Sequence, residues 1–271
     1  VLSEPLSCVA HGWDRILPIP IGSNILILGA GIIGNLWASV LHLQGHKRVI
    51  VSEPQEGRRK ALQKLALTSN RQLCQTLTST KQLCQALTIN RQLCNTLTST
   101  KQLCQALTIN RQMCQALTST QQLCNILTSI TQLKFKTNYE IITPQELKGK
   151  KQADSSWGVD LVIECSGFAP AIEEAIMLLR SGGTLCIFGV SSAEAKISVS
   201  PFHLYKEELK IIGIKINPFT FNKALGWIDA MGDRYLDYKK LGAKVYSLKE
   251  FKEAIQELKK GSIAKAIFEI N

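Results

Sequence analysis

The chain alternates between continuous apolar runs and longer segments in which apolar residues recur every three or four positions. Continuous runs are typical of strands buried on both faces of a parallel sheet, and the wider spacing is typical of amphipathic helices. Their alternation predicts an α/β fold built on a doubly wound parallel sheet. The predicted strands are residues 24–28, 48–53, 139–143, 159–165, 184–190 and 209–215, with a last strand at 264–270.

The predicted helices follow these strands and carry their own start and stop signals. They lie at residues 35–44, 56–67, 170–180 and 248–260. Gly182 and Gly183 predict the end of the third of these helices. Ser247 and Glu250 have the spacing of a capping box at the start of the fourth helix, and Gly261 predicts its end.

A glycine-rich turn joins the first strand to the first predicted helix, with the sequence Gly29-Ala30-Gly31-Ile32-Ile33-Gly34. Gly29 permits a tight turn, Gly31 lets the backbone approach a pyrophosphate, and Gly34 lets helix and strand pack closely. The N–H groups at the start of the helix, where Ile32 and Ile33 stand, favour an anion. The turn therefore indicates a dinucleotide site.

An acidic residue supports that interpretation. Glu53 ends the second strand, 22 residues after Gly31, where a carboxylate can accept hydrogen bonds from the adenosine ribose. Turn and acid together predict a Rossmann-type domain with NAD as its cofactor. The alternative is an ordinary glycine-rich strand-to-helix turn beside a solvated Glu53.

Residues 67–126 are six decapeptides of the form L-T-S-T-K-Q-L-C-Q-A, and a decaying copy follows. Ten residues advance a helix by about 280°, so the leucines do not form one helical stripe. On a strand they would share one face, although the segment has no Gly or Pro to turn it. One interpretation is a solenoid or a basic interaction arm. We favour the other, a tandem expansion inserted in a surface loop.

These patterns divide the chain into three parts. Residues 1–66 are the first part of the dinucleotide-binding domain, residues 67–136 are the repeat insertion, and residues 137–271 are the second part with the C-terminal strand. The longest apolar run, residues 25–33, contains two glycines and is about half the roughly 20 residues that a membrane helix needs. We therefore expect no membrane span.

The charge and the cysteines are unevenly distributed. The net charge is +11, but residues 57–139 hold eleven Lys or Arg and no acid, which leaves 21 basic and 21 acidic residues elsewhere. That balance argues against a nucleic-acid partner. Six cysteines recur every ten residues in the repeat, and Cys8, Cys165 and Cys186 stand outside it. Without paired C-x-x-C spacing, we expect free thiols and a cytoplasmic location.

Short motifs along the chain resemble the medium-chain, zinc-dependent alcohol and polyol dehydrogenases, particularly the sorbitol and threonine dehydrogenase branch. The likeness runs from about residue 2 to residue 271 and is interrupted by the repeat. The motifs are Glu4-Pro5-Leu6-Ser7-Cys8 with His11-Gly12, the glycine turn, Val51-Ser52-Glu53-Pro54, Glu164-Cys165-Ser166-Gly167, Arg180-Ser181-Gly182-Gly183-Thr184 and Asn217-Pro218-Phe219.

The resemblance implies an oxidoreductase that transfers a hydride between a small alcohol or polyol and NAD, with zinc as a second cofactor. In this family Glu53 would bind the ribose, Arg58 would lie beside it, and Lys265 would lie near the pyrophosphate. The nicotinamide crevice would be bordered by Cys165, Ser166, Phe188, Gly189 and Val190. Glu4 matches a glutamate that reaches the catalytic zinc. The region of residues 209–219 resembles the one through which family members form homo-oligomers.

The family's N-terminal barrel-like domain, which supplies a Cys and a His-Glu pair to the zinc, has no counterpart in this sequence. Catalytic zinc needs about three protein ligands, and His11, His42, His46 and His203 have no ligand spacing. We therefore expect surface or packing roles for the four histidines, no zinc held by this chain alone and no complete catalytic set. The favoured function is the cofactor-binding half of an NAD-dependent alcohol or polyol dehydrogenase. The alternative is a non-catalytic dinucleotide-binding or interaction module with a basic repeat arm.

Overall fold

The computed structural model describes residues 1–65 and 138–270, so the repeat and the two interpretations of it lie outside the described residues. Six parallel strands form the central sheet in the order β3-β2-β1-β4-β5-β6. The chain thus runs outward from β1 to β3 and returns to pair β4 with β1, which confirms the doubly wound sheet. The strands are β1 (Ile25–Leu28), β2 (Arg48–Ser52), β3 (Asn138–Ile142), β4 (Val159–Glu164), β5 (Leu179–Ile187) and β6 (Lys210–Gly213).

Helices cover both faces of this sheet. One face carries α1 (Ser3–Ile16), α2 (Ile32–Leu43), the helical residues 56–65 (α3) and α7 (Phe221–Leu236). The other face carries α4 (Pro144–Ala153), α5 (Ala169–Leu178) and the short α6 (Pro201–Lys206). Among the described residues, no helix is both long and apolar enough to cross a membrane.

The central strand β1 shows why the sheet needs two helical layers. Its four residues are all buried, with Ile25 and Ile27 in the core under α1 and α2 and Leu26 and Leu28 in the core under α5. Alternate side chains of a strand point to opposite faces, so the run is apolar throughout. Burying each such side chain contributes roughly 1.5–3 kcal/mol.

Helix α1 was not predicted, although the sequence contains its signal. Leu6, Val9 and Trp13 recur at helical spacing and are buried in the core of the first face. Gly12 lets the helix approach closely, because a Cβ there would lie 2.7 Å from the Trp37 ring. The missing side chain at Gly12 therefore fixes how α1 sits on α2.

The prediction for residues 170–190 was wrong in its boundaries. The helix ends at Leu178, and residues 179–183, predicted as the helix end and a turn, belong to β5. The register explains this, because β4 pairs Val159 with Leu179 and then Leu161 with Thr184. The extra residues form an irregularity in which Gly182 has φ +77°, a conformation that glycine adopts without strain.

The other predicted elements are confirmed, with shifts of up to three residues at their described ends, and the end predicted for the helix at residues 56–67 lies outside the described residues. The last strand, however, lies outside the central sheet: β7 (Ala243–Ser247) pairs in parallel with β8 (Lys265–Glu269) in a separate two-stranded sheet. The capping box of Ser247 and Glu250 is present, at a 3-10 turn before α8 (Phe251–Lys260). That helix ends, as predicted, at Gly261 with φ +67°.

His42 and His46 have packing positions. His42 lies in the last turn of α2, where its Nδ1 is 2.7 Å from the hydroxyl of Tyr235 and its ring meets Tyr139 edge-on. Burial lowers the pKa of His42, and the Arg234 guanidinium lowers it further. Burial also lowers the pKa of His46, which packs against Trp13. The neutral form of both rings is therefore favoured more than in a solvated histidine.

We expect the protein to lose stability as the pH falls through 6.5, the ordinary pKa of histidine, towards the lower pKa of His42 in the folded chain. Since the pKa of His42 is lower in the folded chain than its ordinary value of 6.5, the unfolded chain takes up the proton first and is favoured below that pH. His42→Gln cannot be protonated, so its melting temperature should fall less over this range. Thermal melting of both proteins at several pH values checks this, and equal falls would contradict it.

Candidate functional site

A groove of about 480 Å³ lies at the carboxyl ends of β1, β2 and β4, where the strand order reverses. Doubly wound sheets bind their ligands in this crevice. Of the predicted site residues, Gly29, Gly31, Glu53, Arg58, Cys165 and Ser166 line it. The other lining residues are Leu28, Ser52, Pro54, Gln55, Pro144, Leu147, Lys148, Phe168, Pro170, Ala171, Glu174, Ala175 and Leu178.

The glycine turn forms the floor of the groove. Gly29 has φ +100°, which only glycine adopts readily. A Cβ at Gly34 would lie 2.0 Å from the carbonyl oxygen of Gly29, whereas a Cβ at Gly31 would meet nothing within 4 Å. Gly34 is thus needed for the packing of α2 on β1, as predicted, and Gly31 leaves the surface of the turn open. Ile32 and Ile33 form the first turn of α2 beside it.

Glu53 forms the wall of the groove beside β2. The residue is 2% exposed, and its carboxylate accepts hydrogen bonds from the N–H of Ala30 at 2.7 Å and of Gln55 at 2.9 Å. Among the described residues each oxygen accepts one of these bonds, and a carboxylate oxygen has two lone pairs, so each has a lone pair left for a further donor. The carboxylate therefore ties the glycine turn to the end of β2 and can still accept from a ligand.

Two arginines in α3, Arg58 and Arg59, lie near Glu53 in sequence and make different contacts. Arg59 donates hydrogen bonds to the backbone carbonyls of Glu53 and Pro54, at 2.7 Å and 2.6 Å. Arg58 lines the groove, and its buried Nε has no hydrogen-bond partner among the described residues. Arg59 thus holds the backbone, while Arg58 supplies a positive charge beside Glu53.

The turn after β4 forms the opposite wall. Cys165 and Ser166 line the groove there. Burial raises the pKa of the Cys165 thiol, and the nearby Cys186 and Glu164 raise it further. Because the thiolate is the reactive form, this shift disfavours a nucleophilic role for Cys165, which lines the groove as a small wall residue.

The predicted residues after β5 lie beside that wall but outside the groove lining. Phe188 packs edge-to-face on Trp37, with ring centroids 5.8 Å apart. Gly189 and Val190 follow it, and Val190 is 94% exposed. The backbone of residues 188–190 thus flanks the turn after β4, and the Val190 side chain faces solvent.

Sequence reasoning missed the outer walls of the groove. Phe168 follows the turn after β4 and is largely exposed, and Pro144 and Leu147 of α4 line the groove as well. Lys148 of α4 and Glu174 of α5 form an ion pair of 2.7 Å and also line the groove. Phe168 could have been found from its place next to the Glu164-Cys165-Ser166-Gly167 motif. The two partners are 26 residues apart in sequence and lie on different helices, so no local signal marks the ion pair.

Two further predicted residues lie away from the groove lining. Lys265 begins β8 in the two-stranded sheet. Glu4 lies in the first turn of α1, where the Cys8 thiol donates to its carboxylate at 3.3 Å. Burial and this hydrogen bond raise the pKa of Cys8 to about 12. Within residues 1–65 and 138–270, no three His, Cys, Asp or Glu side chains are grouped so that they could hold a metal ion.

A protein-family model matches part of the chain. Residues 138–230 match the family model described as zinc-binding dehydrogenase. The D-arabinitol dehydrogenase 1 of Uromyces fabae is 22% identical over 257 residues, which are 95% of this chain and 54% of that enzyme. The chain thus spans about half the length of this curated relative.

Solved structures share the fold. One is a proposed zinc-binding dehydrogenase from Sinorhizobium meliloti 1021, bound to NADP, with a TM-score of 0.58 at 23% identity. The matched region is 94% of this chain and 54% of that chain. An alcohol dehydrogenase from Escherichia coli CFT073, complexed with NADH, has a TM-score of 0.59 at 14% identity, with coverages of 95% and 54%. At these identities the likeness establishes the fold.

We expect Gly34→Ala to destabilise the protein by about 3 kcal/mol, because its Cβ would overlap the Gly29 carbonyl and force α2 away from β1. Gly31→Ala, where the Cβ meets open space, should change stability by less than about 0.5 kcal/mol. Urea unfolding of the two variants measures the difference. Similar midpoints for both would contradict the close contact at Gly34.

Proposed function

We propose that the chain is the cofactor-binding half of a zinc-dependent medium-chain polyol dehydrogenase and that it binds NAD in the groove at the carboxyl ends of β1, β2 and β4. In the complete enzyme this half would hold the nicotinamide for hydride transfer between a secondary alcohol of a small polyol and NAD. The observation that carries the proposal is the buried Glu53 carboxylate, held in place with acceptor positions free.

Glu53 is proposed to bind the adenosine ribose. The backbone N–H groups of Ala30 and Gln55 fix its carboxylate at the groove wall, so its free lone pairs are oriented before the ligand arrives. Ribose 2′- and 3′-hydroxyls are donors that suit such a carboxylate. Arg58, beside it in the lining, offsets the negative charge that Glu53 brings to the site.

The adenine is proposed to lie at the apolar end of the groove. Pro54, which follows β2, and Pro144 and Leu147 of α4, which follows β3, line this end. The ion pair of Lys148 and Glu174 joins α4 to α5 at the same end. Flat apolar surface bordered by charge suits a purine, whose faces are apolar and whose edges are polar.

The pyrophosphate is proposed to lie at the N-terminus of α2. The first helical hydrogen bond there runs from Asn35 N to Gly31 O, 3.0 Å, so the N–H groups of Ile32, Ile33 and Gly34 precede the intrahelical ladder. Such groups, with the helix dipole, favour a phosphate. The open space above Gly31 supports the same position. Lys265 is proposed, from the family resemblance, to add a positive charge nearby.

The nicotinamide is proposed to lie between the turn after β4 and the backbone after β5. Cys165 and Ser166 would border one side, and Phe188, Gly189 and Val190 the other. Burial raises the pKa of the Cys165 thiol, which disfavours a thiolate beside the ring, and Phe188 is held by its packing on Trp37.

The described residues do not fit a catalytic zinc ion. Such a site needs about three protein ligands and an open position, and Glu4 has only Cys8 beside it among the described His, Cys, Asp and Glu side chains. The pKa of about 12 of that thiol also disfavours the thiolate that zinc requires. We propose that Glu4 contributes to a zinc site only together with ligands from outside the described residues.

The division of the chain and its assembly are proposals as well. Residues 1–66 and 137–271 would form one dinucleotide-binding unit, with residues 67–136 inserted between α3 and β3.

Strand β6 lies at the edge of the sheet. Three apolar side chains are exposed on this strand or just after it: Ile211, Ile216 and Phe219. This edge is proposed to pair with a second copy of the chain. The free thiols of Cys8, Cys165 and Cys186 suit a reducing, cytoplasmic setting.

We expect the chain to bind NAD at least about tenfold more tightly than NADP, because Glu53 accepts from a 2′-hydroxyl and repels a 2′-phosphate. Glu53→Gln should weaken NAD binding about tenfold and reduce the difference in affinity between NAD and NADP. Exposed Glu56→Gln is the matched control and should bind as the unmodified chain does. Isothermal titration of both cofactors measures this. Tighter binding of NADP, or unchanged NAD affinity in Glu53→Gln, would contradict the role of Glu53.

We expect deletion of residues 67–126 to leave the core folded and NAD affinity within about threefold. Strand β3 enters the sheet at the amino ends of the strands, opposite the groove, and the change in loop closure alters stability by only about 1–2 kcal/mol. The deletion lowers the net charge from +11 to +6, so salt-sensitive binding to heparin should weaken. Thermal melting and NAD titration decide it, and loss of cooperative unfolding would mean that the segment is part of the core.

A further inference from the structure

Glu164, the last residue of β4, is a completely buried carboxylate with unusual hydrogen bonding. Its Oε1 accepts from the N–H of Ser166 at 2.6 Å, from the N–H of Gly167 at 2.9 Å and from the Ser166 hydroxyl. One oxygen therefore collects three donors of the turn after β4. Charged acceptors make stronger hydrogen bonds than neutral ones, so this carboxylate fixes the conformation of the turn.

The same residue also holds the segment after β5. Its backbone carbonyl accepts from Phe188 N at 2.9 Å and Gly189 N at 2.8 Å. A Cβ at Gly189 would lie 2.8 Å from Glu164 Oε2 and 2.2 Å from Gly167 N. Oε2 itself has no hydrogen-bond partner among the described residues. Glu164 is thus wedged between the two segments, and only glycine fits at position 189.

The two segments also touch each other directly. Gly167 has φ +69°, and a Cβ there would lie 2.3 Å from the carbonyl oxygen of Val190. The Ser191 hydroxyl donates to the Gly167 carbonyl at 2.8 Å. Residues 165–168 and 188–191 therefore form one packed unit, which we term the paired loops, with Glu164 beneath both.

We propose that Glu164 is a positioning residue that sets the spacing of the paired loops and thereby the slot for the nicotinamide ring. The inference rests on the proposed function, in which these loops border the nicotinamide. Glu164 touches no ligand itself, because both its oxygens are buried. It acts through the backbone of Ser166, Gly167 and Gly189.

This role predicts a selective effect along the cofactor. The adenosine half is proposed to depend on Glu53, which follows β2, while Glu164 ends β4 on the other side of β1. Loosening the paired loops should therefore weaken binding of the nicotinamide half and leave the adenosine half nearly unaffected. A merely structural role would weaken both halves together.

The test compares two ligands on the full chain. NADH carries both halves, and its fluorescence reports the surroundings of the dihydronicotinamide ring, whereas ADP-ribose lacks that ring. Glu164→Ala should weaken NADH binding at least about tenfold and remove the blue shift of its emission, with ADP-ribose affinity within about threefold. Glu164→Gln, which keeps the Oε1 acceptor, should restore NADH affinity to within about threefold of the unmodified chain. Exposed Glu269→Gln is the control and should change neither ligand.

Ser191→Ala keeps the test decisive if Glu164→Ala does not fold, because it removes a single partly exposed hydroxyl. It should weaken NADH binding about three- to tenfold and leave ADP-ribose unchanged. Equal losses for both ligands, no loss for either, or a Glu164→Gln variant as weak as Glu164→Ala would overturn the role of Glu164. If the unmodified chain binds ADP-ribose and the variants behave in one of these ways, this inference alone fails. If the unmodified chain binds neither ligand, the proposed function fails with it.

Discussion

Backbone N–H groups at the carboxyl edge of the sheet need acceptors once the strands stop pairing, and two buried carboxylates supply them. Glu53 accepts from the turn after β1 and from the residues after β2. Glu164 accepts from the turn after β4. An unsatisfied buried donor costs about 1–3 kcal/mol, so these carboxylates stabilise turns that would otherwise be unfavourable. They stand on either side of β1, at the point where the strand order reverses.

The groove follows from that arrangement. The glycine turn lies between the two carboxylates. Glycines stand where one backbone segment approaches another closely: Gly34 against Gly29 in the turn, and Gly189 against Gly167 in the neighbouring wall. These contacts leave little freedom for the walls to move, because folded interiors are closely packed. A site built this way is formed before its ligand arrives, and less binding free energy is lost in ordering it.

The sequence predicts the sheet and the inner part of the groove well, because both depend on local chemistry. Apolar runs mark β1 and β4, and the glycine turn with Glu53 marks the floor and one wall. The errors have physical causes as well. The boundary between α5 and β5 depends on pairing with β4. The strand β8 was predicted, but its sheet was not, because that depends on pairing with β7.

The walls and α1 show two other sources of error. The residues of helix α1 have the apolar spacing of a helix, but they were interpreted only as the motif around Glu4. The Lys148 and Glu174 pair and the position of Glu164 depend on contacts between elements, which a single sequence does not record. Features that depend on one turn can thus be predicted from the sequence. Contacts between two elements are seen only in the structure.

Hydrogen–deuterium exchange of the full chain, with and without saturating NADH, tests the central claim most directly. If the groove between the two carboxylates is the cofactor site, amide exchange should slow in residues 29–34, 53–58 and 165–168, and should stay unchanged in α8, which lies outside the groove lining. Unchanged exchange in those three segments, or slowing confined to other parts of the chain, would contradict the account.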